Sequence, residues 1–243
     1  MKRCFEDSEI TGYSIKKLLR ERYVFELLAV KAGEMVVDMG SGGGFFSNIL
    51  AKHGANVVSL DVEFSNLLSS RRNYGNRNIS YIVADVTRLP FKGEIFDKAL
   101  CSEVLEHVSE EHIVIGEIWR TLKSEGILVI TTPCTNPTLS TDKIKRFFRI
   151  DEEAHYGHIR SGYDSNRLVG LLMKGGFEIL QICHSIRFLA ELMYIGIFLI
   201  RKLIVADTDK WGGADLLDLK GKKIFLPIDS YSQYYYLLQR LMK

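Results

Sequence analysis

Val37-Asp38-Met39-Gly40-Ser41-Gly42-Gly43-Gly44-Phe45 is the stretch on which the fold turns. Ahead of it Met35-Val36-Val37 is apolar and β-branched, as a buried strand requires. Behind it Phe45, Ile49 and Leu50 recur at helical spacing, and Gly54 stops the pattern. Strand, glycine turn and helix start make the first half of a βαβ unit. The glycines allow a sharp turn and let a bound molecule approach the backbone with no Cβ in the way.

Outward from this stretch, strand and helix patterns alternate. A helix is predicted over 14–28, with Ile15, Leu18, Leu19, Val24, Leu27 and Leu28 on its apolar side. Strands follow at 34–39 and 56–60, a helix at 65–74, strands at 79–83 and 95–101, and a helix at 110–122 that ends near Gly126. Ile127 to Thr132 is a β-branched strand stopped by Pro133, 166–174 is a helix closed by Gly175-Gly176, and 177–183 is a strand. Such alternation implies right-handed crossovers and an α/β fold, with a mostly parallel sheet covered by helices on both faces. The rhythm breaks over 184–228 and returns as a terminal strand at 233–241. The expected organisation is one domain over 1–243: an N-terminal helix (1–30), a ligand-binding core (31–183), an insertion (184–228) and a terminal strand (229–243).

Composition narrows the function classes. Of 243 residues, 32 are Lys or Arg and 30 are Asp or Glu, a net charge of +2, which disfavours a strongly basic nucleic-acid binder. With 47% hydrophobic and 26% charged residues the chain is neither disordered nor a fibrous repeat. Cys4, Cys101, Cys134 and Cys183 are far apart with no C-x-x-C, so reduced thiols in a cytoplasmic protein are expected, with neither a disulfide framework nor a zinc site. Residues 1–22 lack the apolar run of a signal peptide. The apolar stretch Phe188 to Val205 is interrupted by Glu191, Arg201 and Lys202, short of the roughly 20 apolar residues a spanning helix needs.

The glycine turn departs from the dinucleotide fingerprint G-x-G-x-x-G/A, because the bulky Phe45 stands where the third small residue should fall. Asp38, two residues before the first glycine, would repel a pyrophosphate, so the ligand should lack phosphate and carry positive groups. Asp61, about 20 residues on and at the end of the second strand, suits the two hydroxyls of a ribose. Asp85, after the third strand, can accept from an exocyclic amine. Any one of these carboxylates could equally serve as a helix cap or turn residue. Three at the carboxyl ends of successive strands, beside a glycine turn, favour a shared crevice.

Here the chain resembles the class I S-adenosylmethionine-dependent methyltransferases, with ubiquinone-pathway O-methyltransferases among them. The matching pieces are Asp38-x-Gly40-x-Gly42-x-Gly44, Asp61, Ala84-Asp85-Val86 with Leu89-Pro90-Phe91, Phe96-Asp97, and Cys101-Ser102-Glu103-Val104-Leu105-Glu106-His107. Leu122-Lys123, Gly126 to Pro133, and His158 with Tyr163 ahead of Gly176-Phe177 extend the likeness over roughly 30–183. The resemblance implies a Rossmann-like, seven-stranded sheet and S-adenosyl-L-methionine as cofactor. By position it implies that Gly40, Ser41, Gly42 and Gly44 line the methionine and ribose, with Asp38 toward the ammonium. Asp61 and Val62 would serve the ribose side, Asp85 and Val86 the adenine, and Ser102 would complete the set.

Glu103, Glu106 and His107 would share one face of a helix that starts near Ser102. Three readings stay open: a divalent-metal site joined by His155 or His158, His107 as the general base, or a structural helix start. The E-x-x-E-H spacing is similar to that of ubiquinone-pathway O-methyltransferases and small-RNA 2′-O-methyltransferases that use a metal. His107 is taken as the catalytic candidate, with no metal assigned, and His158 and Arg160 as substrate contacts by resemblance. Residues 186–205 are apolar around most of a helix, which suits burial in the chain or a homodimer, or else peripheral contact with a membrane or lipid-like acceptor. Tyr234-Tyr235-Tyr236 is read as packing on alternate faces of the last strand. The expected activity is methyl transfer to a small or lipid-linked acceptor, at oxygen. RNA 2′-O-methylation and a non-catalytic cofactor-binding or scaffolding module are the rivals.

Overall fold

A computed structural model describes residues 15–133, 159–160, 162–185, 215–217, 223–225 and 233–240. In chain order the elements are α1 (Ile15–Leu28), β1 (Met35–Met39), α2 (Phe45–Lys52), β2 (Asn56–Asp61), α3 (Phe64–Tyr74), β3 (Ile79–Val83) and β4 (Phe96–Ser102). A 3-10 turn (Leu105–His107), α4 (Glu111–Thr121), β5 (Leu122–Pro133), α5 (Ser165–Lys174), β6 (Phe177–Ser185), β7 (Asp215–Leu217), β8 (Lys223–Phe225) and β9 (Gln233–Arg240) follow. Seven strands form one sheet in the order β3-β2-β1-β4-β5-β9-β6. β9 runs antiparallel to both neighbours, and the pairs from β3 across to β5 are parallel. The chain winds outward from β1 to β3 and returns beside β1 as β4, so the strand order reverses between β1 and β4. Ligands of open α/β sheets bind at that reversal, outside the carboxyl ends of the strands.

The two-residue period of each strand sorts its side chains into two cores. Val37 and Met39 of β1, Ala99 and Cys101 of β4, and Leu128 and Ile130 of β5 pack with Val114 and Ile118 of α4 and Leu168 and Leu172 of α5. Val36, Leu100 and Val129, one residue out of phase, pack with Val24 and Leu28 of α1 and Leu50 and Ala51 of α2. Every central strand is covered on both sides, which is why its sequence is a continuous apolar run.

Lys98 of β4 is buried, at 7% exposure, and anchors the end of α1. Its ammonium donates to the carbonyls of Leu28 at 2.6 Å and Ala29 at 2.7 Å, and pairs with Glu34 at 3.1 Å. A cation at the carbonyl end of a helix meets both the unsatisfied acceptors and the negative end of the dipole. At the same end of the strands, two strands over, Arg240 of β9 lies over the Trp119 ring at 4.0 Å, donates to the Leu122 carbonyl and pairs with Glu94 at 3.0 Å.

The structure departs from the expected elements in two places. β5 begins at Leu122, five residues before the predicted start, because buried Leu122 pairs with Phe96 ahead of a register shift and a left-handed turn at Glu125. A β7–β8 hairpin lies within 184–228, where no strand was predicted. The chain divides into two compact units, 23–186 with 231–243, and 1–22 with 187–230. The apolar segment 186–205 lies outside the described residues. Cys101 and Cys183 are free thiols, and Cys4 and Cys134 lie outside the described residues. Among the described residues no helix is long and apolar enough to cross a membrane.

Replacing Lys98 by Met leaves the buried Leu28 carbonyl, the part-buried Ala29 carbonyl and Glu34 without their cation. The variant should lose about 2–4 kcal/mol of stability in urea denaturation.

Candidate functional site

The turn after β1 is left-handed at Gly40 (φ 62°), Gly42 (φ 51°) and Gly44 (φ 77°). Its neighbours leave no room for side chains at two of these. A Cβ on Gly40 would stand 2.5 Å from a Val104 methyl, and one on Gly44 2.6 Å from the Ser70 Cβ of α3. Close packing thus falls on Gly44 and not on position 45, which is why Phe45 is tolerated there. The turn is tied to β2 by Ser41 N to the Leu60 carbonyl at 2.9 Å, by Ser59 Oγ to Ser41 Oγ at 2.8 Å, and by Gly42 N to Asp61 Oδ2 at 2.8 Å.

Asp38 lies beneath this turn at 2% exposure, on the β1 face that meets α2, where Ser47 Oγ donates to its Oδ2 at 2.6 Å. Burial pushes its carboxyl up to about 7, against the bonds from Ser47, and the nearby Asp61 adds a smaller push. Asp61 is 6% exposed and accepts three bonds: Gly42 N on Oδ2, and Glu63 N at 2.9 Å and Asn66 Nδ2 at 3.2 Å on Oδ1. Asp85, just beyond β3, is exposed, and its Oδ1 takes both the amide and the hydroxyl of Thr87 at 2.8 Å. Among the described residues Thr87 bonds only Oδ1, and Oδ2 is left to the solvent side. The three carboxylates stand at the carboxyl ends of adjacent parallel strands, as the sequence suggested. Val62 is exposed and Val86 is buried, one on each side of the Asp61–Asp85 edge.

The acceptor side differs from expectation. No helix starts at Ser102. Glu103 is itself left-handed (φ 57°), and the next turn is 3-10. A 3-10 turn has three residues per turn, so the i, i+3, i+4 face of an α-helix does not exist here. Glu106 is buried and His107 exposed, so the trio does not share one surface. Glu103 is bound to β5 through its amide to the Thr131 carbonyl at 3.0 Å and its Oε1 from the Thr131 hydroxyl at 2.9 Å. Ser102 Oγ meets the same Thr131 hydroxyl at 2.8 Å. Among the described residues no three His, Cys, Asp or Glu side chains are grouped to hold a metal ion. His155 and His158 lie outside the described residues.

Arg160 was expected against substrate. The structure instead turns its guanidinium inward, to the carbonyls of Leu105 and Ser109, the Tyr163 hydroxyl and the Glu111 carboxylate. Sequence reasoning passed over Tyr163 and Glu111 as site-forming residues. Their signal was weak: Tyr163 is one aromatic in a loop, and Glu111 reads as an ordinary acid in a first helical turn. The thiol of Cys101, fully buried in β4, is pushed up by burial and by the carboxylates of Glu106, Asp38 and Glu103.

A glycine turn at the strand reversal of a doubly wound sheet, with acidic residues at three strand ends, defines a Rossmann-like site for a nucleoside-bearing ligand. Residues 37–130 match the model of a methyltransferase domain. The chain is 34% identical over 117 residues to a ubiquinone biosynthesis O-methyltransferase of Coxiella burnetii, a match covering 47% of this chain and 49% of that protein. It is 36% identical over 111 residues to a demethylmenaquinone methyltransferase of Clavibacter sepedonicus, covering 45% of each. The matched region spans about half the length of these curated relatives. An N-methyltransferase from Bradyrhizobium japonicum, solved with S-adenosyl-L-homocysteine, shares the fold at TM-score 0.60 and 14% identity, covering 93% of this chain and 88% of that one.

The Asp38 carboxyl has a checkable consequence. The folded protein holds this proton up to about pH 7, whereas an ordinary aspartate loses it near 3.8. The folded state therefore binds more protons in between, and the stability linked to Asp38 is full below pH 3.8 and falls as pH rises toward 7. Chemical denaturation at pH 5 and pH 8 should show a smaller loss across that interval in Asp38→Asn than in the wild type.

Proposed function

We propose that the chain is an S-adenosylmethionine-dependent methyltransferase that methylates a small or lipid-linked acceptor at oxygen. The observation that carries this is the buried Asp38 beneath a turn whose backbone is laid open by glycine. A carboxylate with one hydroxyl donor is costly to ionise in the interior, and a cationic ligand placed over it removes that cost. A diphosphate would add to it. Asp61 and the bare Oδ2 of Asp85 fit hydroxyl and amine donors spaced along a nucleoside.

S-Adenosylmethionine held there supplies an electrophilic methyl on a cationic sulfur. The chain's own work is alignment and exclusion of water. The glycine turn and Asp61 fix the donor end, and the loop after β4 with Ser102 and Glu103 forms the wall on the side from which an acceptor comes. Methyl transfer to an acceptor oxygen would release that oxygen's proton, which must pass to a base. His107, exposed on the 3-10 turn, is the residue proposed to take it.

The quinone-pathway names of the two relatives favour an acceptor with a large apolar part. So does the apolar run at 186–205, for which contact with a lipid surface or a second subunit is proposed. The near-balanced charge of 32 basic and 30 acidic residues speaks against bulk nucleic acid. The separation of buried Glu106 from exposed His107 gives no support to a metal-dependent RNA reading.

Isothermal titration should show S-adenosylhomocysteine binding, and no heat at millimolar ligand would refute the cofactor assignment. Asp61→Ala removes the Gly42 tie and a ribose acceptor together, so affinity should fall about 10- to 100-fold. Labelled cofactor incubated with a cell extract should place label in the lipid or small-molecule fraction; label in RNA would overturn the acceptor class.

A further inference from the structure

The segment around Arg160 clasps the loop after β4 from outside. Ile159 N donates to the Glu106 carbonyl at 3.1 Å, Arg160 Nη1 to the Leu105 carbonyl at 2.6 Å, and Arg160 Nη2 to the Ser109 carbonyl at 3.4 Å. Tyr163 N closes on the Pro133 carbonyl at the end of β5, at 2.9 Å. The clasp is braced from behind. Glu111 pairs with Arg160 at 2.9 Å, and the Arg160 guanidinium lies 5.6 Å from the centre of the fully buried Tyr163 ring.

The Tyr163 hydroxyl has one proton and two acceptors, Glu111 Oε2 at 2.6 Å and the Leu105 carbonyl at 3.2 Å. The shorter, charge-assisted bond takes it. Arg160 is then the side-chain donor to the Leu105 carbonyl, beside the longer backbone bond from Val108 N at 3.3 Å. Leu105 follows Val104, whose methyl fills the space a Cβ on Gly40 would need. The contacts thus run without a gap from Arg160 through Leu105 and Val104 to the first glycine of the turn.

We infer that Arg160 is a positioning residue, which by holding the Leu105 carbonyl keeps Val104 against Gly40 and so sets the shape of the cofactor turn. This rests on the reading of that turn as the S-adenosylmethionine site. Arg160 touches no reacting atom. Its planar fork, braced by Glu111 and Tyr163, meets several acceptors at once, which a lysine cannot do.

Amide hydrogen exchange tests the clasp without any ligand. His107 N bonds the Val104 carbonyl at 3.0 Å and Val108 N the Leu105 carbonyl at 3.3 Å, so both amides report on the loop. In Arg160→Met they should exchange at least tenfold faster, with Arg160→Lys in between and the amides of β1 and β4 unchanged. Arg167→Met, which cuts the exposed outer arm of Glu111 at 2.7 Å and a stack on the Tyr163 ring at 5.1 Å but no bond to the loop, should match the wild type. Unchanged protection in Arg160→Met, or loosening spread over the whole sheet, would overturn the inference.

The link to the turn is read by S-adenosylhomocysteine titration. Arg160→Met should weaken binding at least fivefold, but add nothing in a Val104→Ala background, where the link is already cut. Full additivity of the two substitutions would overturn it. A wild-type protein that fails to bind the ligand refutes the cofactor reading instead, and exchange at His107 and Val108 then still decides whether the clasp exists.

Discussion

The bond from Gly42 N to Asp61 Oδ2 joins the two features on which the site depends, a turn that only glycine can make and a carboxylate at the next strand end. It exists because β1 and β2 are paired in parallel with Asp38 opposite Ser59 and Met39 opposite Leu60. A register slip of one residue would exchange the faces of β1 and bring Asp38 into the core packed by α4 and α5. That register is fixed in turn by Val36 on one face and Val37 and Met39 on the other, each fully buried in a separate core. Packing far from the crevice thereby decides where the carboxylates point.

The turn is confined from both sides. Val104 presses on Gly40 and Ser70 on Gly44, so the loop after β4 and helix α3 together exclude side chains from the backbone that a ligand must reach. α3 can lie this close because Ser70 is small and fully buried. The 3-10 turn that follows Val104 is bonded in turn by Ile159 N, Arg160 and the Tyr163 hydroxyl, from a segment distant in sequence.

Much of this was legible in the sequence where the interactions are local. Val37 to Phe45 encodes strand, turn and helix within nine residues, and Asp61 and Asp85 stand at strand ends that the apolar pattern marks directly. The E-x-x-E-H cluster was misread because spacing predicts a shared face only if the backbone is α-helical. A left-handed Glu103, bound to Thr131 across the sheet, prevents that. The partners of Arg160 were not legible for a different reason: Leu105, Ser109 and Glu111 lie 55, 51 and 49 positions away, so nothing local distinguishes it from a free surface cation. The early start of β5 has the same origin, since Leu122 leaves the helix to pair with Phe96 on a neighbouring strand.

The electrostatic feature that most favours a cation is the buried Asp38 carboxyl, which has Ser47 as its donor and Asp61 as an acidic neighbour. In the ligand-free protein the least costly response is to keep Asp38 protonated, which burial enforces up to about pH 7. A ligand bearing an ammonium and a sulfonium reverses that preference, because the ionised carboxylate then gains a partner where it had only Ser47. Binding and ionisation of Asp38 are therefore linked, and a proton must leave as the cation arrives below neutral pH. Under the proposed function, affinity for a cationic ligand rises with pH over the same interval in which the stability linked to Asp38 falls, so the ligand offsets the cost of the buried carboxylate.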